Sequence, residues 1–171
     1  MRLSWLERFV PDCRVTSFSD IDPLLLKRLG LKGIIADLDN TLVAAETGRA
    51  TPELMRWLEC LKQGNVSVII VSNNSHRRVA LVAQELGIPY ISRARKPLRR
   101  AFQQALQQLQ LKPEEAAVVG DQLLTDIFGG KRLGLYTFLV QPISPAEKWT
   151  TRMNRFLEKG LMLLLKRQGR Y

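Results

Sequence analysis

Two carboxylates, Asp37 and Asp39, flank a single leucine at the end of the apolar run "GIIADLDNTLV" (33–43), and Thr41 follows two places later. Carboxylates are costly to bury, so a buried strand that ends in two of them implies a compensating partner. A pair at this spacing can divide the work of splitting a phosphate monoester. One carboxylate attacks phosphorus, and the other supplies and recovers a proton. This reaction is among the slowest uncatalysed ones in biology, and its enzymes supply up to about 10²¹-fold acceleration. No single contact provides that. Splitting the step through an aspartyl-phosphate, with a cation and donors on the equatorial oxygens, is the usual physical solution. In such a scheme Asp37 attacks, Asp39 is acid and then base, and Thr41 with the backbone amides of the following turn holds the geometry.

Three further motifs follow in order. Ser72 and Asn73 close "VIIVSNN" at a strand–helix junction, where a helix start favours anions. Lys96 in "RARKP" adds a fixed positive charge. "VVGDQLLTD" contributes Asp121 and, five residues on, Asp126; hard carboxylate oxygens of this kind suit Mg²⁺. Each motif also has a plain structural use. Asp37, Asp39, Ser72 and Asn73 could cap helices or close turns, Asp126 could be a surface acid, and Arg93, Arg95, Arg99 and Arg100 a solvated basic face. The only histidine, His76, reads as a surface residue of a first helical turn, and Trp5, Trp57 and Trp149 as packing residues. Four motifs in succession favour one shared site.

The intervening sequence supplies elements to position them. "DIDPLLLKRLG" (20–30) predicts a short helix opened by Asp and closed by Gly30. "TPELMRWLECLKQGN" predicts another, with Thr51 as N-cap, Pro52 at the first helical position and Gly64 at the end. "VSVIIVS" (66–72), "IPYIS" (88–92), "AAVVG" (116–120) and "LYTFLV" (135–140) read as strands beside "GIIADL". Helices fall over "HRRVALVAQELG", "KPLRRAFQQALQQLQL" and "LLTDIFGGKRLG". Strands apolar on both faces and alternating with helices predict an α/β fold, a parallel sheet of about five strands covered on both sides. Ligands bind such sheets beyond the carboxyl ends of the strands, where Asp37, Ser72 and Asp121 are expected.

At 171 residues the chain suits one domain, with a core over about 20–140. Its formal net charge of +10 predicts an anionic partner. Cys13 and Cys60 lie far apart, which disfavours a disulfide framework or a zinc site and fits a reducing, cytoplasmic setting. "MRLSWLERFVPDCR" is broken by charges and does not read as a secretory signal, and no apolar stretch reaches the length of a membrane span. From Pro145 the sequence changes to a basic amphipathic helix over about 145–167, with Trp149, Met153, Phe156 and Leu157 among basic residues. Such a helix could pack on the domain or lie on an acidic membrane face, and "SWLERFV" could join the same surface.

"DLDNT", "VSNN", "RKP" and "GDQLLTD" together resemble the four motifs of the haloacid dehalogenase (HAD) superfamily of phosphatases, over about residues 20–140. "DLDNTLV", "SNNS" and "GDQLLTDI" are most similar to the YqeG-like group of subfamily IIIA, whose relatives include phosphatidylglycerophosphate phosphatases. The resemblance implies a Rossmann-like HAD fold with Asp37 as nucleophile and Mg²⁺ ligand, and Asp39 as acid/base with its carbonyl on the metal. It also implies Ser72 and Lys96 on the phosphoryl group, Asp121 on Mg²⁺, and Asp126 directly behind or water-bridged to the ion. The segments after the first two motifs are too short for the cap domain of many members, so the site should be open, as suits a phosphate presented on a lipid headgroup or polymer end. The expected function is Mg²⁺-dependent hydrolysis of phosphatidylglycerophosphate on the inner face of a membrane. Two alternatives stand beside it: a phosphatase for nucleotide, sugar or nucleic-acid-end phosphates, and a nucleic-acid- or ribosome-binding protein with a vestigial site.

Overall fold

The apolar runs assemble side by side in the computed structural model, which describes residues 5–144. Six strands form one parallel sheet: β1 (Cys13–Arg14), β2 (Gly33–Ala36), β3 (Ser67–Val71), β4 (Tyr90–Ile91), β5 (Ala116–Gly120) and β6 (Tyr136–Leu139), in the order β1-β6-β5-β2-β3-β4. The helices are α1 (Pro23–Arg28), α2 (Pro52–Gln63), α3 (His76–Leu86), α4 (Arg99–Leu109) and the short α5 (Phe128–Lys131). Side chains of a strand alternate between its faces, and the core divides accordingly. Ile34, Ala36, Ile70 and Val119 pack with Leu54 and Leu61 of α2 and Val79 and Val82 of α3. Ile35, Ile69, Val71 and Val118 pack with Ala101, Phe102 and Ala105 of α4. The sheet is covered on both sides.

Local sequence explains most boundaries. The Thr51 hydroxyl accepts from Leu54 N–H at 3.1 Å and Pro52 opens α2; Asp22 accepts from Leu25 N–H at 2.7 Å to open α1. The fourth helix begins at Arg99 rather than Lys96, because Pro97 disfavours a helical residue before it. Beyond the expected strands lies β1, two residues paired to Phe138 and Leu139. Asp12, just ahead of it, accepts from the N–H and hydroxyl of Thr137, both at 2.8 Å.

The N-terminal segment packs two of its apolar residues inward. Leu6 and Phe9 are buried, and the Phe9 ring stacks on Phe128 with centroids 4.4 Å apart. The basic amphipathic segment from Pro145 lies outside the described residues. Cys13 and Cys60 are both free thiols. Among the described residues no helix is long and apolar enough to cross a membrane.

Register positions the chemistry. Ala36 of β2 lies opposite Ile70 of β3 and Val119 of β5, so the residues that follow each strand leave at one edge. The connections there are short: residues 37–51 run from β2 to α2, and 72–75 from β3 to α3. Neither contains a strand or helix of its own, so among the described residues no inserted domain caps the edge.

Candidate active site

The first acidic pair is presented by a tight turn. Asp37 N–H extends the ladder to Val119 O at 2.9 Å, after which the chain reverses. Leu42 and Val43 both donate to Leu38 O, and Asn40 donates to Val43 O at 2.7 Å. Asn40 sits at φ +66°, a left-handed conformation that Asn tolerates better than most residues. Leu38, Leu42 and Val43 are fully buried, which anchors the turn and turns the carboxylates flanking Leu38 toward the cleft.

Lys96 ties the site together. Its Nζ donates to Asp37 Oδ1 and to Asp126 Oδ1, both at 2.6 Å, and all three side chains are buried. Asn73 fixes the lysine from behind: its Oδ1 accepts from Lys96 N–H at 2.7 Å, and its Nδ2 donates to Lys96 O at 3.3 Å. Asn73 thus braces the Lys96 backbone while also lining the cleft. The second oxygen of Asp126 accepts from Gln122 N–H at 3.2 Å. A π-helical turn over Leu123–Ile127 carries it, in place of a regular helix start. Gly120 is what lets it come in, because a Cβ there would lie 2.4 Å from the Asp126 carboxyl group. Thr41 donates its hydroxyl to Asp121 Oδ1 at 3.3 Å. Ser72, also buried, accepts from Asn74 N–H at 3.1 Å, which leaves its own hydroxyl proton to be donated.

Asp39 is held by residues that sequence reasoning passed over. Asn74 Nδ2 donates to Oδ2 at 2.8 Å, and Arg78 donates Nε–H to Oδ1 at 2.7 Å while also donating to Ala45 O at 2.6 Å. Arg78 thus pins both Asp39 and the turn that carries it. Asn74 stands within "SNNS" and Gly120 within "VVGD", but neither motif by itself signals the contact each makes. Arg78 lies one turn into a helix whose spacing signals only its apolar face. His76 lies apart from the site, exposed, with its ring against Tyr90 and its Nδ1 3.4 Å from the Ser92 hydroxyl.

Asp37, Asp39, Ser72 and Lys96 line one open cleft of about 210 Å³. Behind it, Asp37, Asp121 and Asp126 each offer a carboxylate oxygen, and these three atoms lie within 4.8 Å of one another. Three hard anionic oxygens this close suit a small divalent cation such as Mg²⁺. Burial, reinforced by Asp126 and Asp39, lifts the Asp37 carboxyl to about 7 even though Lys96 pulls the other way. Burial alone would lower the Lys96 ammonium, but Asp126 and Asp37 outweigh it and raise it above its ordinary value. The two carboxylates therefore favour the charged form of the lysine.

A doubly covered parallel sheet that gathers its carboxylates beyond the strand ends defines the class, a Rossmann-like α/β protein with its site at the carboxyl edge of the sheet. The family model for haloacid dehalogenase-like hydrolases matches residues 3–134, and the chain belongs to that family as a phosphatase. The chain is 47% identical to the probable phosphatase YqeG of Bacillus subtilis over 94% of both sequences. It is 30% identical to the chloroplastic/mitochondrial phosphatidylglycerophosphate phosphatase 1 of Arabidopsis thaliana, over 94% of this chain but only 49% of that protein. Among solved structures, an uncharacterized protein from Listeria monocytogenes serotype 4b shares the fold, with a TM-score of 0.52 over 80% of this chain and 99% of that one, at 21% identity.

Proposed function

We propose that this phosphatase is Mg²⁺-dependent, works through an aspartyl-phosphate at Asp37, and removes the terminal phosphate of phosphatidylglycerophosphate to leave phosphatidylglycerol. The observation that carries the reaction is the Lys96 ammonium held between Asp37 and Asp126 at the open cleft, with the Asp121 carboxylate close behind.

Asp37, Asp121 and the backbone carbonyl of Asp39 would hold the ion, with Asp126 behind Lys96. When bound, Mg²⁺ neutralises the phosphate oxygens and favours ionised Asp37. The chain's own groups supply the rest. A carboxylate oxygen of Asp37 attacks phosphorus, and the bond from phosphorus to the leaving alkoxide breaks. Asp39 gives that alkoxide its proton, and Arg78 and Asn74 then steady the carboxylate that results. Ser72 and Lys96 donate to the phosphoryl oxygens throughout. In the second half, Asp39 takes a proton from water as the water oxygen attacks phosphorus. The aspartyl–phosphorus bond breaks, phosphate leaves, and both carboxyl groups return to their starting states.

The substrate reading draws on the phosphatidylglycerophosphate phosphatase among the relatives and on the uncapped edge. An open site excludes water poorly around a small free metabolite, yet it admits a phosphate carried on something large. Supplying phosphatidylglycerophosphate in mixed micelles with Mg²⁺, alongside nucleotide and sugar phosphates, tests it. Faster phosphate release from the lipid, absent in Asp37→Asn, is expected. Faster turnover of the soluble phosphates would overturn the substrate assignment while leaving the reaction in place.

A further inference from the structure

Beside the cleft, the β3–α3 and β4–α4 connections form one hydrogen-bonded lip. Arg93 N–H donates to Asn74 O and Ala94 N–H to Ser72 O, both at 3.0 Å. Residues 72–78 and 93–100, which make this lip and the first turns of α3 and α4, contain seven basic residues and no acidic one. Lys96 and Arg78 are committed inside the site. The other five, Arg77, Arg93, Arg95, Arg99 and Arg100, are exposed, and among the described residues none is in an ion pair.

Nothing in the fold requires this arrangement. Cations in a first helical turn oppose the helix dipole, and α2 follows the ordinary preference with Glu53 there. Arg93 and Arg95 sit at φ +50° and +55°, where Gly or Asn would be less strained. Two long cationic side chains are kept where the backbone favours other residues, which points to a use for the side chains themselves. Between them and the Arg99–Arg100 pair, Leu98 is 54% exposed.

We propose that this lip is the docking surface by which the enzyme sits on an acidic phospholipid bilayer, with the arginines on headgroups, Leu98 entering the interface and the cleft facing the membrane. The proposal deepens the lipid-phosphate reading and rests on it. A flat anionic surface fits five solvated cations around an exposed leucine. A single-stranded polynucleotide fits less well, because such partners are gripped by stacking aromatics, and neither 72–78 nor 93–100 contains Phe, Tyr or Trp.

Co-sedimentation of the full chain with phosphatidylcholine vesicles, with and without phosphatidylserine, tests the idea. Phosphatidylserine is a phosphodiester, so binding is read apart from turnover. The wild type should bind only the acidic vesicles. Arg93→Asn/Arg95→Asn, which suits the left-handed backbone, should weaken binding roughly 25-fold, at about fivefold per charge. Leu98→Ser should weaken it further, and both variants should hydrolyse p-nitrophenyl phosphate at the wild-type rate. Vesicle binding that is unchanged by these substitutions overturns the docking surface, even where lipid phosphate is released normally. Arginine-dependent vesicle binding in an enzyme that ignores phosphatidylglycerophosphate leaves the surface standing and removes the substrate. Tighter binding to a short single-stranded RNA than to acidic vesicles, lost in the arginine variant, overturns the membrane assignment.

Discussion

At the amino-terminal end of β2 and β5, Lys32 Nζ lies 2.6 Å from Glu115 Oε1; at the carboxyl end of the same strands, Lys96 Nζ lies 2.6 Å from both Asp37 Oδ1 and Asp126 Oδ1. Distance does not separate these ion pairs, but burial does. The Lys32 side chain is 64% exposed and that of Lys96 is 3% exposed. In water the first pair is screened and gains little. In the interior, two carboxylates and one ammonium have lost their hydration, and each depends on the others to offset that loss. The amino-terminal edge is closed by a screened interaction the protein could do without. The edge that carries the chemistry is held by one that cannot be half-removed.

The sharpest way to probe this contrast is at Asp37. Asp37→Asn keeps the shape of the buried network and removes the oxygen proposed to attack phosphorus, so phosphate release should fall by about 10⁴-fold or more. A steady-state phosphate assay on a variant with a native circular dichroism spectrum reads it. Residual activity near the wild-type level would assign the attack elsewhere.

Next comes Lys96→Met, which leaves Asp37 and Asp126 facing each other without their cation. Breaking a buried charge cluster in this way costs about 3–5 kcal/mol, read by urea denaturation at pH 8 without divalent ions. At pH 5 the loss should shrink, because one carboxyl group then takes up a proton. The same change at Lys32 should leave the midpoint nearly unchanged, and a comparable loss there would erase the contrast.

The position of Asp37 also sets a pH dependence. Its folded-state value, about 7, lies above the ordinary 3.8, so the protonated form favours the folded state. This contribution is full below about pH 4 and is lost as pH rises through about 7. Without divalent ions, the melting temperature of the wild type should therefore fall over that window relative to Asp37→Asn. Mg²⁺ should restore it at pH 8 and have little effect at pH 5, since the ion competes with the proton for one carboxylate. Equal effects of Mg²⁺ at both pH values would separate the ion from Asp37.

A smaller effect is expected at the rim. Arg78→Met removes the donor that orients Asp39 and pins Ala45 O. Misplacing a catalytic group by about 1 Å can cost about 10²-fold, so kcat should drop by up to that much while KM and the melting temperature change little. A loss confined to KM would make Arg78 a substrate contact instead.

Much of this architecture was legible in the chain. The runs "GIIADL", "VSVIIVS" and "AAVVG" are apolar on both faces because their strands are buried on both sides, and Thr51–Pro52 announces a helix start by chemistry local to it. The pair at 37 and 39, and Asp121 after the third run, could be placed at one edge because a parallel sheet brings its strand ends together. Less visible was β1, whose two residues carry no period and become a strand only by pairing with β6. The burial of Leu6 and Phe9 likewise depends on Phe128, far along the chain. Asn73 was placed by its motif at the strand–helix junction beside the site, and it lines the cleft. Its use in clamping the Lys96 backbone depends on a loop 23 residues away.

The sequence by itself determined which residues could do phosphoryl chemistry and on which edge of the sheet they would emerge, because residue type and strand period are local properties. Only the tertiary structure decided which carboxylate shares the lysine, that Arg78 and Asn74 hold Asp39, and that Gly120 makes room for Asp126. Those are contacts between segments distant in the chain, set by how closely two backbones approach, and no local pattern encodes that distance.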